Sequence, residues 1–535
     1  IVNRLLDKGV GVNYFFSSGN EADLEASDFM EFLLDDPTTE IIAAFIESFK
    51  DASKFLRVAD RALELGKPLV ILRTGNTEKG ARTIQAHTGA LAGSAQVYEA
   101  VFKQKGVIQA EDYDDFIGIL TLISKAGLPS GDRLGVVSFS GGAAGVVADK
   151  CTVMGIPLPE ITGQTQREVS GIQAFGTAQN PLDLTGQLAS DLNLFKACLR
   201  LFLADENIDS LMVILTNIFG GLGHRLVRDL VEVAGGQEAA KPLIAFCTAG
   251  SVASECTQEL DTGPLPLFRN YHECLRSIKA VGGYVNSQKR YHEGGVTFHE
   301  TDTNRTVERR RWLGDKKGSL TEEDGKELLA RYDIPVTQEG LATTPEEARR
   351  SALEIGYPVA LKVVSPQIPH KTEAGVVRLN IRNETELDEA YQQVLDQAQA
   401  YDPRAEVRGV LVQEMVEEAI EVILGLSHDD LFGPTVLFGL GGIFVEILRD
   451  VSLRLIPISF REAEEMIRDI QGYEILSGAR GRSKGDLAAL AGIIVKLSQL
   501  ALEVGDQIAE LDINPLMVLP EGRGVKAADA LVVLR

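Results

Sequence analysis

The feature that most constrains this chain is a repeated alternation of short apolar runs with helical patterns in its first half. "IIAAFIE" (41–47) reads as a buried strand, and "DASKFLRVADRALELG" (51–66) has helical spacing. That helix should end on Gly66, because glycine adopts the left-handed C-cap conformation without steric cost. "KPLVILRTG" (67–75) is the next strand and "SAQVYEAVFKQKG" (94–106) is again helical. Strand, helix, strand, helix predicts a parallel sheet covered by helices. The alternation restarts near residue 131 with strand, glycine turn and helix, followed by strands "SLMVILT" (210–216) and "PLIAFCT" (242–248). The expected fold is α/β. Two doubly wound domains span 1–128 and 129–286, followed by a linker over 287–317 and a different domain over 318–535.

The linker is polar and ends in "VERRRWLGDKKG", whose basic run reads as a solvated face. Beyond it, Ser319 and Glu322 have capping-box spacing and predict a helix start. Strands are expected at "YPVALKVVS" (357–365), "GVVRLNI" (375–381), "RGVLVQEMV" (408–416), "EVILGLSHD" (421–429) and "PTVLFGLGG" (434–442). With helices between them they predict an α+β domain of two lobes.

The totals exclude several classes. With 535 residues, 44% of them hydrophobic and 24% charged, the chain is long enough for two to four folded domains. A formal net charge of −24 argues against nucleic acid and anionic membranes, whose phosphates need a basic surface. Small phosphorylated ligands stay open, since a few backbone N–H groups and lysines can hold a phosphate locally. The five cysteines are scattered without a CxxC pair, which predicts a reduced, cytoplasmic setting and no cysteine metal site. The apolar run at 434–448 is interrupted by glycines and Glu446 and is too short to span a bilayer. No signal peptide is visible, and the first residue is Ile rather than Met.

The chemistry-bearing residues fall in both halves. His87 lies in a loop of small residues, "RTIQAHTGALAGSA" (82–95), after one strand; Glu47 ends the strand before it. In open parallel sheets, ligands bind beyond the carboxyl ends of strands, so the two side chains could meet. A carboxylate on one ring nitrogen would leave the other as nucleophile; equally, Glu47 could be a surface residue and His87 a loop contact. "SFSGGAAG" (138–145) follows a strand and opens a helix, so Ser140, Gly141 and Gly142 can either cradle an anion or merely pack helix on sheet. Lys362 sits inside an apolar strand and needs an anionic partner, either a nucleotide phosphate or a carboxylate. His370 and Lys371 follow on a proline-flanked loop. Near the C-terminus a hairpin could bring Asn514 and Asp529 together, oxygen donors suited to nucleotide-bound Mg²⁺.

These motifs resemble the nucleoside-diphosphate-forming acyl-CoA synthetases, the family of ADP-forming acetate–CoA ligase, and more distantly succinyl-CoA synthetase. "SSGNEADLEASDFMEFLLDDPTTEIIAAFIE" and "AHTGALAGS" resemble that family's phosphohistidine domain. "SFSGGAAGVVAD" and "NPLDLTG" resemble its second ligase domain. "LTEEDGKELLARYDIPV", "GYPVALKVVSPQIPHKTEAGVV", "FGLGGIFVEILRDVSLRLIP", "LSGARG" and "ELDINPL" resemble its ATP-grasp domain, and the resemblance runs along nearly the whole chain. It implies an ADP-forming acid–CoA ligase whose substrates are a carboxylic acid, CoA, ATP/ADP and phosphate. His87 matches the phosphate-carrying histidine and Glu47 the glutamate that holds it. Ser140, Gly141 and Gly142 match the helix start that receives the phosphohistidine. Lys362 matches the lysine on the nucleotide phosphates, and Asn514 and Asp529 match the Mg²⁺ ligands. His370 matches a second histidine that relays phosphate in some members; Glu414, Glu421 and Arg480 match the nucleotide pocket.

Two departures accompany the resemblance. The family usually begins with a CoA-binding Rossmann-like domain and a strand ending in "SQSG", whereas this sequence opens within the first helix of the phosphohistidine domain. The expectation is that the CoA-binding domain precedes this sequence or lies on a separate chain, and that the 535 residues alone do not complete the CoA half-reaction. Val376 stands where the family commonly has a second glycine, which stiffens the loop holding His370. The resemblance also implies a homo-oligomer. Two alternatives remain at this point: a non-catalytic regulator or scaffold related to acetyltransferase fusions, and an enzyme using the same relay to lyse an activated acid.

Overall fold

The computed structural model describes residues 1–77, 79, 94–173, 176–184, 193–216, 218, 220–236, 241–250, 253–261, 263–293, 303–365, 367–368, 371, 374–441, 450–481 and 483–535. His87 and His370 both lie outside the described residues. The chain divides into two compact units, Ile1–Gly295 and Val296–Arg535.

The first unit holds two parallel sheets. One has the order β1 (Ile42–Ile46), β2 (Leu69–Arg73), β3 (Ile108–Ala110). The other is built from β4 (Leu134–Ser138), β5 (Leu182–Asp183), β6 (Ser210–Leu215), β7 (Leu243–Cys247) and β8 (Leu267–Phe268). Its order, β5-β4-β6-β7-β8, is the flavodoxin-like 2-1-3-4-5 arrangement. Neighbouring residues of β4 explain why such strands read as continuous apolar runs. Val136 packs with Met212 and Ile214 in one core, while Val137 packs with Val213 and Leu215 in another. The first of these cores also contains Val70, Leu72 and Ile108 of the other sheet, joined through Phe116, Ile117 and Leu120 of the helix Tyr113–Ala126. The helix Ala52–Leu65 ends, as its sequence predicts, on Gly66 at φ 68°.

Asp209, just before β6, is buried and accepts hydrogen bonds from the Arg133 backbone N–H (3.0 Å), Arg133 Nε (2.8 Å) and Ser130 Oγ (2.9 Å). Burial alone would raise this carboxyl; the Arg133 and Ser130 bonds outweigh it and hold the pKa at about 2, against 3.8 unperturbed. A depressed folded pKa contributes stability that is present above the unfolded value and lost as pH falls toward the folded one. Asp209→Asn should therefore flatten the acid-induced loss of first-unit stability between about pH 4 and pH 2 by roughly 1–2 kcal/mol, after screening at the half-exposed Arg133. Urea titrations at several pH values check this; parallel pH profiles for variant and parent would contradict it.

The second unit has the two lobes expected of it. An antiparallel sheet comprises β9 (Glu339–Ala342), β10 (Val359–Val364), β11 (Val377–Ile381) and β12 (Gly409–Glu414), in the order β11-β10-β12-β9. A larger antiparallel sheet comprises β13 (Ile420–Asp429), β14 (Gly433–Leu440), β15 (Val451–Leu455), β16 (Ile508–Val518), β17 (Val525–Ala527) and β18 (Leu531–Leu534). Its order is β15-β14-β13-β16-β17, with β18 also paired to β16. The helix Leu487–Val504 is, among the described residues, the one helix long and apolar enough to cross a membrane; it is the core helix of this unit, with Leu490, Ile494, Leu497 and Leu500 buried against the large sheet.

Within 287–317 the structure describes the last turns of the helix Tyr271–Glu293 and a helix Thr303–Gly314. The basic run is not simply a solvated face. Arg309 is buried against Glu503 at 3.0 Å, Arg310 pairs with Asp506, and Leu313 enters the second unit's core. The capping box read at Ser319 is also corrected. Thr321 is the N-cap, accepting from the Asp324 N–H, while Ser319 forms a bridge to Val533. Glu322, freed from capping, turns its carboxylate inward.

Candidate functional site

In the first unit, Glu47 follows the end of β1, and Arg73 and Asn76 stand at the end of β2, where the His87 loop leaves. Arg73 is buried with its guanidinium 3.7 Å from the centre of the Tyr98 ring, and it donates to Asn76 Oδ1 at 2.7 Å. Whether Glu47 and His87 meet lies outside the described residues.

Ser140 is the N-cap of the helix Gly141–Met154, its hydroxyl accepting from the Ala143 N–H. The turn is locked from β4: the Ser140 N–H donates to Ser138 Oγ at 3.0 Å, and that hydroxyl donates to the Ser140 carbonyl at 2.9 Å. A Cβ on Gly141 would come within 2.8 Å of Asp183 Oδ2, so glycine lets the helix start approach β5. Gly141 and Gly142 are exposed, leaving the first-turn N–H groups accessible to an anion. Asn180 of "NPLDLTG" is structural, tying the Val136 N–H and the Leu134 and Pro159 carbonyls together.

The second unit gathers a dense ionic cluster. Lys362, on β10, is 8% exposed. Its ammonium donates to Glu322 Oε1 at 3.2 Å, the Ala528 carbonyl at 3.1 Å and Asp529 Oδ2 at 3.5 Å. The partner its sequence position required is therefore carboxylate, from two separate segments. Burial works to lower Lys362, but the Asp529 and Glu322 charges outweigh it and raise its pKa. Burial likewise works to raise Glu322, yet Lys362, Lys326 and Lys371 hold it at about 2. Lys326 also bonds Glu339 and Thr337, and Gln413 Nε2 donates to Thr337, Glu339 and the Ala528 carbonyl.

Asn514 and Asp529 are brought close by the strand geometry: β16 pairs with both β17 and β18, and Asp529 lies in the short connection between these two. A residue missed in the sequence joins them. Asp512 sits two positions before Asn514 on the same face of β16. Burial pushes Asp512 up to about 6, with the Glu510 and Asp529 charges adding to the effect. Period-two spacing in "ELDINPL" is the signal that could have found it. Two carboxylates beside an amide oxygen are a donor set that fits a hard divalent cation.

The remaining candidates lie on three separate elements. Glu414, at the end of β12, pairs with Lys526 and accepts from the Gln338 N–H at 3.0 Å. Glu421 is exposed on β13 in register with Met517, whose other neighbour in that row is Lys526. Lys526 thus connects Glu414 to the row of Glu421. Arg480 lies in the short 3₁₀ turn Ala479–Gly481, its side chain outside the described residues.

Comparisons with known proteins agree with this division. Residues 1–123 match the family model of a succinyl-CoA ligase-like flavodoxin domain, and residues 311–534 that of an ATP-grasp domain. The chain is 35% identical over 524 residues to an ADP-forming acetate–CoA ligase of Archaeoglobus fulgidus, covering 97% of this chain and 73% of that one. It is 32% identical over 533 residues to an ADP-forming 4-hydroxybutyrate–CoA ligase of Nitrosopumilus maritimus, covering 98% and 75% respectively. A separate beta subunit of an ADP-forming acetate–CoA ligase from Pyrococcus furiosus matches at 48% over 215 residues, covering 40% of this chain and 91% of the subunit. These relatives support a ligase rather than a regulator. The chain belongs to the ADP-forming acyl-CoA synthetases, acid–thiol ligases that join a succinyl-CoA ligase-like flavodoxin fold to an ATP-grasp domain.

Proposed function

We propose that this chain carries phosphate between an acyl site and a nucleotide site on His87. Acyl-CoA and phosphate exchange to give acyl phosphate and free CoA. The imidazole of His87 then displaces the carboxylate from phosphorus, and ADP takes the phosphoryl group from His87 to give ATP. Each step is reversible. Glu47 holds the imidazole, and the helix start at Ser140, Gly141 and Gly142 receives the phosphohistidine dianion, an interaction worth roughly 1 kcal/mol or more. His370 is a second histidine for the relay, and Glu414, Glu421 and Arg480 line the nucleotide pocket.

The observation that carries this reading is the cluster of Lys362, Lys371 and Asp529 beside Asn514: one buried and one partly buried cation next to oxygen donors, on an ATP-grasp domain. Lys362 binds the nucleotide phosphates. Asp512, Asn514 and Asp529 would hold Mg²⁺, which when bound neutralises phosphate charge. The five described cysteines are all free and buried, which supports a reducing, cytoplasmic setting. The working form is a homo-oligomer, and a carboxylic acid, CoA, adenine nucleotide and phosphate are its ligands.

A covalent phosphoenzyme predicts exchange of label between ADP and ATP with neither acid nor CoA present, the signature of a ping-pong half-reaction. The chain with Mg²⁺ should catalyse this exchange. An exchange that appears only when both acid and CoA are added would contradict the reading.

A further inference from the structure

Glu322 has no role in the scheme above, yet it is the most heavily engaged carboxylate in the second unit's ionic cluster. Its side chain is 6% exposed, at the first position of the helix Glu322–Ala330. Oε1 accepts from Lys326 at 3.0 Å and from Lys362 at 3.2 Å, while Oε2 accepts from Lys371. Of these three lysines, Lys326 is fully occupied, since it also bonds Thr337 and Glu339. The other two share a second, looser partner. Asp529 Oδ2 lies 3.5 Å from Lys362 and 3.9 Å from Lys371, and its side chain is 31% exposed.

The two carboxylates therefore differ in kind. Glu322 is buried, bonded on both oxygens and pinned from behind by Lys326. Asp529 is partly exposed and at the limit of contact. An arriving phosphate, which offers several strong acceptor oxygens, can replace the Asp529 contacts far more cheaply than the Glu322 ones. Lys371 is anchored for this purpose. Its carbonyl accepts from the Val376 N–H at 3.1 Å, and Val376 is fully buried in the core behind β10. The buried Val376 thus fixes the base of the loop from which Lys371 projects.

We propose that Glu322 is a positioning residue that holds Lys362 and Lys371 as a paired clamp for the phosphates of the nucleotide, with Asp529 the partner that both lysines give up. This rests on the nucleotide-site reading above and adds to it a second phosphate-binding lysine and the carboxylate that aims both. The order of events follows from exposure: phosphate enters from the Asp529 side, Lys362 and Lys371 exchange one acceptor each, and Glu322 keeps its bonds throughout.

The test compares binding of ADP, without metal, with binding of adenosine, which has no phosphate. Calorimetry serves for the first and NMR titration for the second. Lys371→Met and Glu322→Gln should each weaken ADP at least about tenfold, the effect of losing a charge-assisted hydrogen bond, while adenosine changes less than about twofold. A purely structural role would move both ligands together, and that result would overturn the proposal. Lys362→Met separates the two levels of the argument. If it leaves ADP binding unchanged, the nucleotide-site reading itself fails. If it weakens ADP but Lys371→Met and Glu322→Gln do not, only the clamp is wrong. Should Glu322→Gln not fold, Lys371→Met decides, because its side chain is only partly buried and its loss leaves Lys362 and Lys326 to neutralise Glu322.

Discussion

Replacing His87 by alanine should lower ADP–ATP exchange by about four orders of magnitude or more, the scale seen when a covalent nucleophile is removed. No other imidazole in the loop can substitute, because residues 82–95 contain a single histidine surrounded by Gly, Ala, Ser and Thr. The same variant should bind ADP as the parent does, since the Lys362 cluster belongs to the other compact unit. His370→Ala, by contrast, should retain phosphorylation of the chain. Equal loss in the two variants would mean that the primary carrier has been misplaced.

The second large effect concerns stability. Glu503 is 4% exposed on the core helix Leu487–Val504. It accepts from Arg309 at 3.0 Å and from the Tyr332 hydroxyl at 3.0 Å, with the Arg309 guanidinium 4.0 Å from the centre of the Tyr332 ring. Glu503→Ala would leave Arg309 buried without its carboxylate, which costs roughly 3–5 kcal/mol. The chain's single tryptophan, Trp312, lies one turn along the same helix and reports the event directly. Denaturant unfolding followed by Trp312 fluorescence should show that loss. A change below about 1 kcal/mol would mean that the helix Thr303–Gly314 is held by Leu313 and surface pairs alone.

These two cases show where the sequence is readable. The parallel sheets of the first unit were legible because strands buried on both faces leave continuous apolar runs, and because Gly66 marks a helix end by its backbone conformation. Lys362 was legible for the opposite reason: a charge in an apolar strand demands a partner. The identity of that partner was not. Glu322 and Ser319 have capping-box spacing, and only the fold shows that Thr321 caps instead, which turns Glu322 toward Lys326 of its own helix and Lys362 and Lys371 from other segments. Arg309 reads as one of several exposed basic residues until a glutamate nearly two hundred positions away is seen against it. Asp512 was passed over because a carboxylate two residues from Asn514 is ordinary in a strand; its character comes from burial beside Glu510 and Asp529. In each instance local pattern placed the element, and long-range charge pairing decided the residue's role.

Incubation with ATP labelled in the γ-phosphate, followed by peptide mapping under alkaline conditions, would locate any phosphate on the chain. If a histidine truly ferries the group, the label will be acid-labile, base-stable and confined to the peptide containing His87, and added ADP will discharge it. Label that survives acid, or that maps to a peptide lacking that residue, would refute the scheme.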